Sequence, residues 1–94
     1  MFKELELRGA QGSLLWGYRA VAVVTAWSIV KAPHAWIVTA RLERGDAWQC
    51  QQAAGCRELL FTAPRANGPR WCWPVKDVDL AAGQLRATLG QPLQ

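Results

Sequence analysis

The sequence predicts a mainly β fold, a small antiparallel barrel or sandwich of about seven or eight short strands with at most one short helix. Apolar, β-branched stretches recur along the chain, and Gly, Pro or Asn separates them. An α+β fold is the alternative, because residues 51–61 fit a helix or a strand. With 94 residues, 51% of them apolar, the chain is expected to form one domain, residues 1–94.

The longest apolar stretch is predicted to form a central hairpin. Residues 20–31 and 35–43 favour strands, and Pro33-His34 interrupts them as a turn. Both faces of the first strand are apolar, so this strand is expected either to be covered on both sides or to curl through a small barrel. Trp27 and Trp36 are therefore interpreted as core residues. In strict alternation, one face of the first strand carries Val21, Val23, Thr25, Trp27 and Ile29.

Before the hairpin, residues 2–8 are predicted to form a short edge strand that ends in a glycine-bounded turn at Gly9 and Gly12. A one-turn helix is the alternative for residues 2–8, because Glu, Leu and Lys are good helix formers. After it, residues 43–46 are expected to form a hairpin turn, with Gly45 free to adopt a positive φ. Residues 47–52 then read as a returning strand, and residues 53–55 as a break.

The C-terminal third is predicted to hold a loop, a short strand and a small hairpin. Residues 63–69 contain two prolines and an Asn-Gly pair, which are typical of a loop. Residues 70–75 are expected to form a strand near an edge, because Pro74 lacks an amide donor. Residues 78–80 and 85–89 are expected to pair across a turn.

Charge and cysteine content bound the setting of the protein. The net charge of +4 is spread along the chain. This distribution favours a role in solubility over a dedicated basic tail that binds a polyanion. Charges at Lys3, Glu4 and Glu6 argue against a signal peptide, and no apolar run is long enough to span a bilayer. An odd number of cysteines without such a signal predicts reduced thiols, so a cytoplasmic protein without membrane contact is expected.

No motif for catalysis, cofactors or metals stands out. Cys50, Cys56 and Cys72 are not arranged in the close pairs of structural zinc sites, and His34 is the only histidine. A Cys–His nucleophilic site would also need an orienting group, which no local signature places. We therefore expect no metal, no cofactor and no enzymatic activity, with a Cys/His enzyme as the third-ranked alternative.

Six tryptophans are the distinctive feature, and they are too many for all to be enclosed in so small a core. The segment from Arg57 to Lys76 combines them with cations and is the expected partner-binding surface, comprising Trp71, Trp73, Arg70, Arg65, Lys76 and Arg57.

Two classes of partner fit such a surface. Tryptophan and arginine dominate protein interfaces, so an accessory, inhibitor or adaptor protein that binds another protein, of the kind common in phages and plasmids, is favoured. Aromatic platforms beside cations also suit single-stranded nucleic acid, which is the alternative. A homodimer through an edge strand, residues 2–8 or 70–75, is a further expectation.

Overall fold

A computed structural model describes residues 6–64 and 70–93. Within these residues the chain forms six strands and one helix, and no helix is long and apolar enough to cross a membrane. In chain order the elements are β1 (Glu6–Trp16), β2 (Arg19–Lys31), β3 (Trp36–Gly45), α1 (Ala47–Gly55), β4 (Leu59–Ala63), β5 (Trp71–Ala81) and β6 (Gln84–Leu89).

The strands close into one antiparallel barrel in the order β1-β2-β3-β6-β5-β4, with β4 returning to β1. The chain thus builds two three-stranded meanders, and α1 connects the last strand of the first to the first strand of the second. The predicted fold class is confirmed. The described strands are fewer and longer than predicted, because three positions interpreted as breaks lie inside elements.

The first of these positions is the predicted glycine-bounded turn. The prediction of a turn there is wrong. Gly9 and Gly12 lie inside β1, where they are paired with Trp27 and Val24 of β2. A Cβ atom at Gly9 would lie only 2.3 Å from Cζ2 of Trp27. Glycine is needed here for the close approach of an indole ring rather than for a change of chain direction. Residues 2–5 of the predicted strand lie outside the described residues.

The central hairpin is confirmed as β2 and β3, joined around Pro33-His34. The strict alternation predicted for β2 is wrong beyond its midpoint. Ala26 adopts a φ of 50° at a β-bulge, where the pairing register with β3 shifts. The buried positions therefore change phase, from Val24 before the bulge to Trp27 after it. This bulge accounts for the two apolar faces of β2.

The second and third breaks lie around α1. Residues 43–45 of the predicted hairpin turn are the end of β3, where Gly45 does not adopt a positive φ, and α1 replaces the predicted returning strand. Asp46 caps the helix, since its Oδ1 accepts a hydrogen bond of 3.1 Å from the Gln49 amide. Cys50, Ala53 and Ala54 form the buried face, so small side chains let the helix pack closely on the barrel. The expected break at residues 53–55 is therefore the last turn of α1.

The predicted hairpin of residues 78–80 and 85–89 is confirmed as part of β5 and β6. The expectation that residues 70–75 form an edge is wrong. On one side, Trp71 to Pro74 pair with β4. On the other, the amides of Gly90 and Leu93 donate to the carbonyls of Pro74 and Cys72, at 2.8 and 2.7 Å. The segment after β6 thus covers this part of β5, and the described residues leave no open edge there for a second copy.

Candidate functional site: a basic groove between two half-buried tryptophans

The interior of the barrel holds a chain of aromatic rings that includes Trp73. The Trp73 side chain is fully buried, and its ring centroid lies 6.0 Å from that of Phe61 and 6.5 Å from that of Trp36. Phe61 in turn makes an edge contact with Trp27 at 5.5 Å. The prediction that Trp73 lies at the surface is therefore wrong. The alternation of β5 turns it inward, where the barrel closes over it.

The neighbouring predicted site residues lie at the end of the barrel where β5 begins. Trp71 is half-buried and stacks on Trp73, with 5.3 Å between ring centroids, so the expected common face of the two rings is confirmed. Arg70 is exposed, and its Nε donates a 3.2 Å hydrogen bond to the Thr62 hydroxyl. Arg65 lies outside the described residues, as does most of the predicted loop.

Arg57 and Lys76, the other two predicted site residues, line one surface groove together. Arg57 follows α1 with a φ of 60°, and Lys76 lies on β5 where its pairing with β6 shifts register. The groove measures about 580 Å³, and its lining also includes Pro74 and Ala54. We call it the helix groove. Arg57 and Lys76 are thus brought together by the fold, on a different part of the surface from Arg70.

A second groove adjoins the helix groove at Arg57. It measures about 630 Å³, and its lining includes Trp16, Arg19 and Glu58. Trp16 is half-buried, and its Nε1 donates a 2.9 Å hydrogen bond to Oε2 of Glu58. This bond fixes the edge of the indole while part of the ring remains accessible. We call this second groove the Trp16 groove.

A third depression adjoins the helix groove at Lys76. It measures about 220 Å³ and lies between the turn that joins β2 to β3 and the segment after β6. Its side chains include Lys31, His34 and Trp36. Lys31 Nζ lies 5.6 Å from the centroid of the half-buried Trp36 ring, a cation–π contact. We call this depression the turn pocket.

Together the three depressions form the basic groove, which we define as the Trp16 groove, the helix groove and the turn pocket. Four permanent cations among the described residues line it, together with His34. Among the described lining residues the only carboxylate is Glu58, which is already bonded to Trp16. The net charge of the groove is therefore positive along its whole course. Its cations are Arg19, Arg57, Lys76 and Lys31.

Two of the four cations of this lining, and both of its tryptophans, were not identified as site residues from the sequence, because pairing between distant strands brings them together. Trp16 and Arg19 flank the β1–β2 turn, and the pairing of Trp16 with Leu59 places that turn beside Arg57. Neither residue pairing nor its register can be read from local composition. A sequence signal did exist in Lys31 and Trp36, which flank the predicted Pro33-His34 turn and therefore had to be neighbours.

Two further exposed aromatic side chains lie outside the groove lining. Trp48, on the outer face of α1, is 67% exposed, and Tyr18 projects fully into solvent from the β1–β2 turn. Gly17 precedes Tyr18 with a φ of 67°, which is the conformation that a tight hairpin turn requires at its first position. Neither aromatic ring is among the described residues that line the three depressions.

The three thiols differ in exposure. Cys50 is buried, Cys72 is half-buried and Cys56 is exposed. Burial raises the pKa of the Cys50 thiol to about 11, and the Asp46 carboxylate adds to the shift. Burial also raises the pKa of Cys72. Within the described ranges no three His, Cys, Asp or Glu side chains are placed to hold a metal ion together. Cys50 and Cys72 thus favour their protonated, unreactive forms.

The Cys50 thiol predicts a loss of stability in alkaline solution. Between pH 9 and about 11 the unfolded thiol is ionised while the folded thiol keeps its proton, so the free energy of unfolding falls as pH rises. We expect a loss of about 2 kcal/mol across this window, which urea denaturation at a series of pH values would measure. Cys50→Ala should flatten the profile, whereas Cys56→Ala, which alters an exposed thiol, should not. Parallel profiles for all three proteins would contradict the assignment.

No protein-family model, curated protein or solved structure matches the chain.

Proposed function

We propose that the protein is a non-catalytic module that binds single-stranded nucleic acid along the basic groove. The observation that carries the proposal is the charge of the groove lining. Its described residues include four cations, Arg19, Arg57, Lys76 and Lys31, and one carboxylate, which is already hydrogen-bonded to Trp16. A row of cations with a single carboxylate among them is complementary to nucleic acid, whose backbone carries one negative charge per nucleotide.

The two tryptophans of the groove support the same ligand. Trp16 and Trp36 are half-buried, so each ring is held by packing and still offers part of its surface. Unpaired bases stack on such rings, and stacking is worth about 1–3 kcal/mol per base. A double helix hides these faces, so the combination of cations and aromatic rings favours an unpaired strand.

A protein partner, the class favoured by the sequence, is the second candidate. Its predicted surface centred on Trp71 and Trp73, and the burial of Trp73 removes half of that aromatic pair from contact. The exposed Trp48 is the remaining observation that favours it, because tryptophan is enriched at the centres of protein interfaces. The cations and the two half-buried tryptophans line three adjoining depressions, and nucleic-acid binding therefore takes precedence.

Binding of a fluorescein-labelled oligothymidylate, followed by anisotropy, tests the proposal. We expect affinity to fall steeply with salt, with a slope of log K against log [salt] of about −2 to −3, since roughly four phosphates would be neutralised. The double variant Arg19→Glu/Arg57→Glu should weaken binding about 100-fold, because it places two negative charges in the groove.

The matched control is Arg41→Glu/Arg44→Glu, which changes the net charge equally at two exposed β3 positions outside the groove lining. This control should lose much less affinity. Equal losses in both double variants would indicate general charge attraction and contradict a groove. Absence of oligonucleotide binding, together with nuclease-resistant and salt-insensitive capture of one protein that Trp48→Ala abolishes, would replace the proposal by a protein-binding function.

A further inference from the structure

We propose that the turn pocket is a binding site for a phosphate monoester, the group that ends a phosphorylated nucleic-acid strand. The inference rests on the proposed function, since it assigns the basic groove a specific end. A 5′-phosphate and a 3′-phosphate present the same chemical group, and the experiment distinguishes them.

The position of the turn pocket makes it the terminus of the groove. Of the three depressions, the helix groove adjoins both others, whereas the turn pocket shares a lining cation with the helix groove alone, through Lys76. The β2–β3 turn and the segment at Gly90 and Gln91 form its walls. That segment is fixed in place, because the Gly90 amide donates a 2.8 Å hydrogen bond to the Pro74 carbonyl. A nucleic-acid strand that follows the groove therefore meets a closed end in the turn pocket.

Two lysines are positioned to put their charge into this pocket. Lys31 is held over the Trp36 ring by the 5.6 Å cation–π contact. The Lys76 side chain lies across Gly90, with its Cε 3.5 Å from the position that a Cβ atom at Gly90 would occupy. His34 adds a ring N–H, a donor that imidazole offers in either protonation state. No carboxylate is found among the described residues that line the pocket.

The charge of this lining fits a terminal phosphate better than an internal one. A phosphodiester within a strand carries one negative charge, whereas a phosphate monoester carries about −1.5 to −2 at neutral pH. Two lysines and a donor ring in about 220 Å³ match the more highly charged group in both charge and number of hydrogen bonds. In the Trp16 groove, by contrast, Glu58 offsets part of the positive charge.

The test compares three oligothymidylates of one length, internally labelled, that end in hydroxyls, in a 5′-phosphate or in a 3′-phosphate. We expect one phosphorylated form to bind about five-fold more tightly than the hydroxyl-ended form. Lys31→Ala/His34→Ala should reduce that ratio to about one. Arg19→Ala should weaken all three strands and leave the ratio near five, because Arg19 lies at the far end of the groove. A ratio of one in the unaltered protein would overturn the phosphate site.

A second probe separates this inference from the proposed function. His34 is the only histidine, so its imidazole resonances report on the turn pocket without ambiguity. Inorganic phosphate should shift them saturably at constant ionic strength, and Lys31→Ala/Lys76→Ala should abolish the shift. If phosphate shifts them but no oligonucleotide binds, the pocket stands and the nucleic-acid function fails. If oligonucleotides bind with equal affinity and phosphate gives no saturable shift, the function stands and the pocket is refuted.

Discussion

Replacement of Trp73 by alanine is expected to lower the free energy of unfolding by about 3–5 kcal/mol, the range for truncation of a large buried aromatic ring. Trp73 is one of the largest fully buried side chains, and its ring contacts those of Trp36, Phe61 and Trp71. Its loss would leave a cavity inside the closed barrel, where paired strands resist collapse into the space. Urea denaturation followed by circular dichroism measures the change.

Two variants make this expectation specific. Trp48→Ala is chemically the same substitution at an exposed position on α1, and it should cost less than about 1 kcal/mol. Trp73→Phe keeps an aromatic ring and removes the Nε1 donor, which has no hydrogen-bond partner among the described residues. Its cost should be less than half that of alanine, because relief of a buried unpaired donor offsets part of the smaller cavity. Equal losses for Trp48→Ala and Trp73→Ala would show that Trp73 is not a core residue.

Trp71 and Trp73 show which features of the structure can be predicted from the sequence and which cannot. Spacing of two along a strand placed them on one face, and their stacked rings confirm it. Which face points inward depends on what packs against it, and for Trp73 that is the ring of Phe61 on β4 and the ring of Trp36 on β3. Those contacts join residues far apart in the chain. Local pattern therefore predicts common faces well and their direction poorly.

The helix shows a second limit. Residues 47–52 alternate in polarity well enough to resemble a strand, and the Ala-Ala-Gly run after them resembles a break. Alanine is the best helix former, and Asp46 is a favoured helix cap, so the local signals for α1 were also present. What decides between them is the surface of the barrel, which accepts the small face formed by Cys50, Ala53 and Ala54. The predicted fold class includes at most one short helix, so it agrees with the structure although the position of the helix does not.

The candidate site was predicted only in part for the same reason. Arg57 and Lys76 were expected on one surface and do line one groove, although the predicted loop separates them in the chain. Arg19 and Trp16 join them through pairing of β1 with β4, a contact between the two meanders. Composition predicted that cations and tryptophans would meet at a surface. The topology determines which ones do.

The largest effect expected of a single added methyl group concerns Gly9. A Cβ atom there would lie 2.3 Å from Cζ2 and 2.4 Å from Cε2 of Trp27. The ring cannot easily withdraw, because its Nε1 donates a 2.7 Å hydrogen bond to the Gln11 carbonyl and its edge meets Phe61. We expect Gly9→Ala to lower the free energy of unfolding by about 2–3 kcal/mol, the upper range for overpacking of a core, as measured by urea denaturation.

A double-mutant cycle identifies the cause of that loss. Trp27→Phe removes both Nε1 and Cζ2, the atoms that the added methyl group would strike, so Gly9→Ala should cost less in this background than in the natural one. Gly55→Ala provides the reference for a methyl group added without contact: nothing lies within 4 Å of its Cβ position, and stability there should be unchanged or slightly higher. Equal costs of Gly9→Ala in both backgrounds would show that β1 requires the backbone freedom of glycine at this position. The predicted turn would have required glycine for the same reason. A lower cost with Trp27→Phe would establish that the indole of β2 determines which residue β1 carries opposite it.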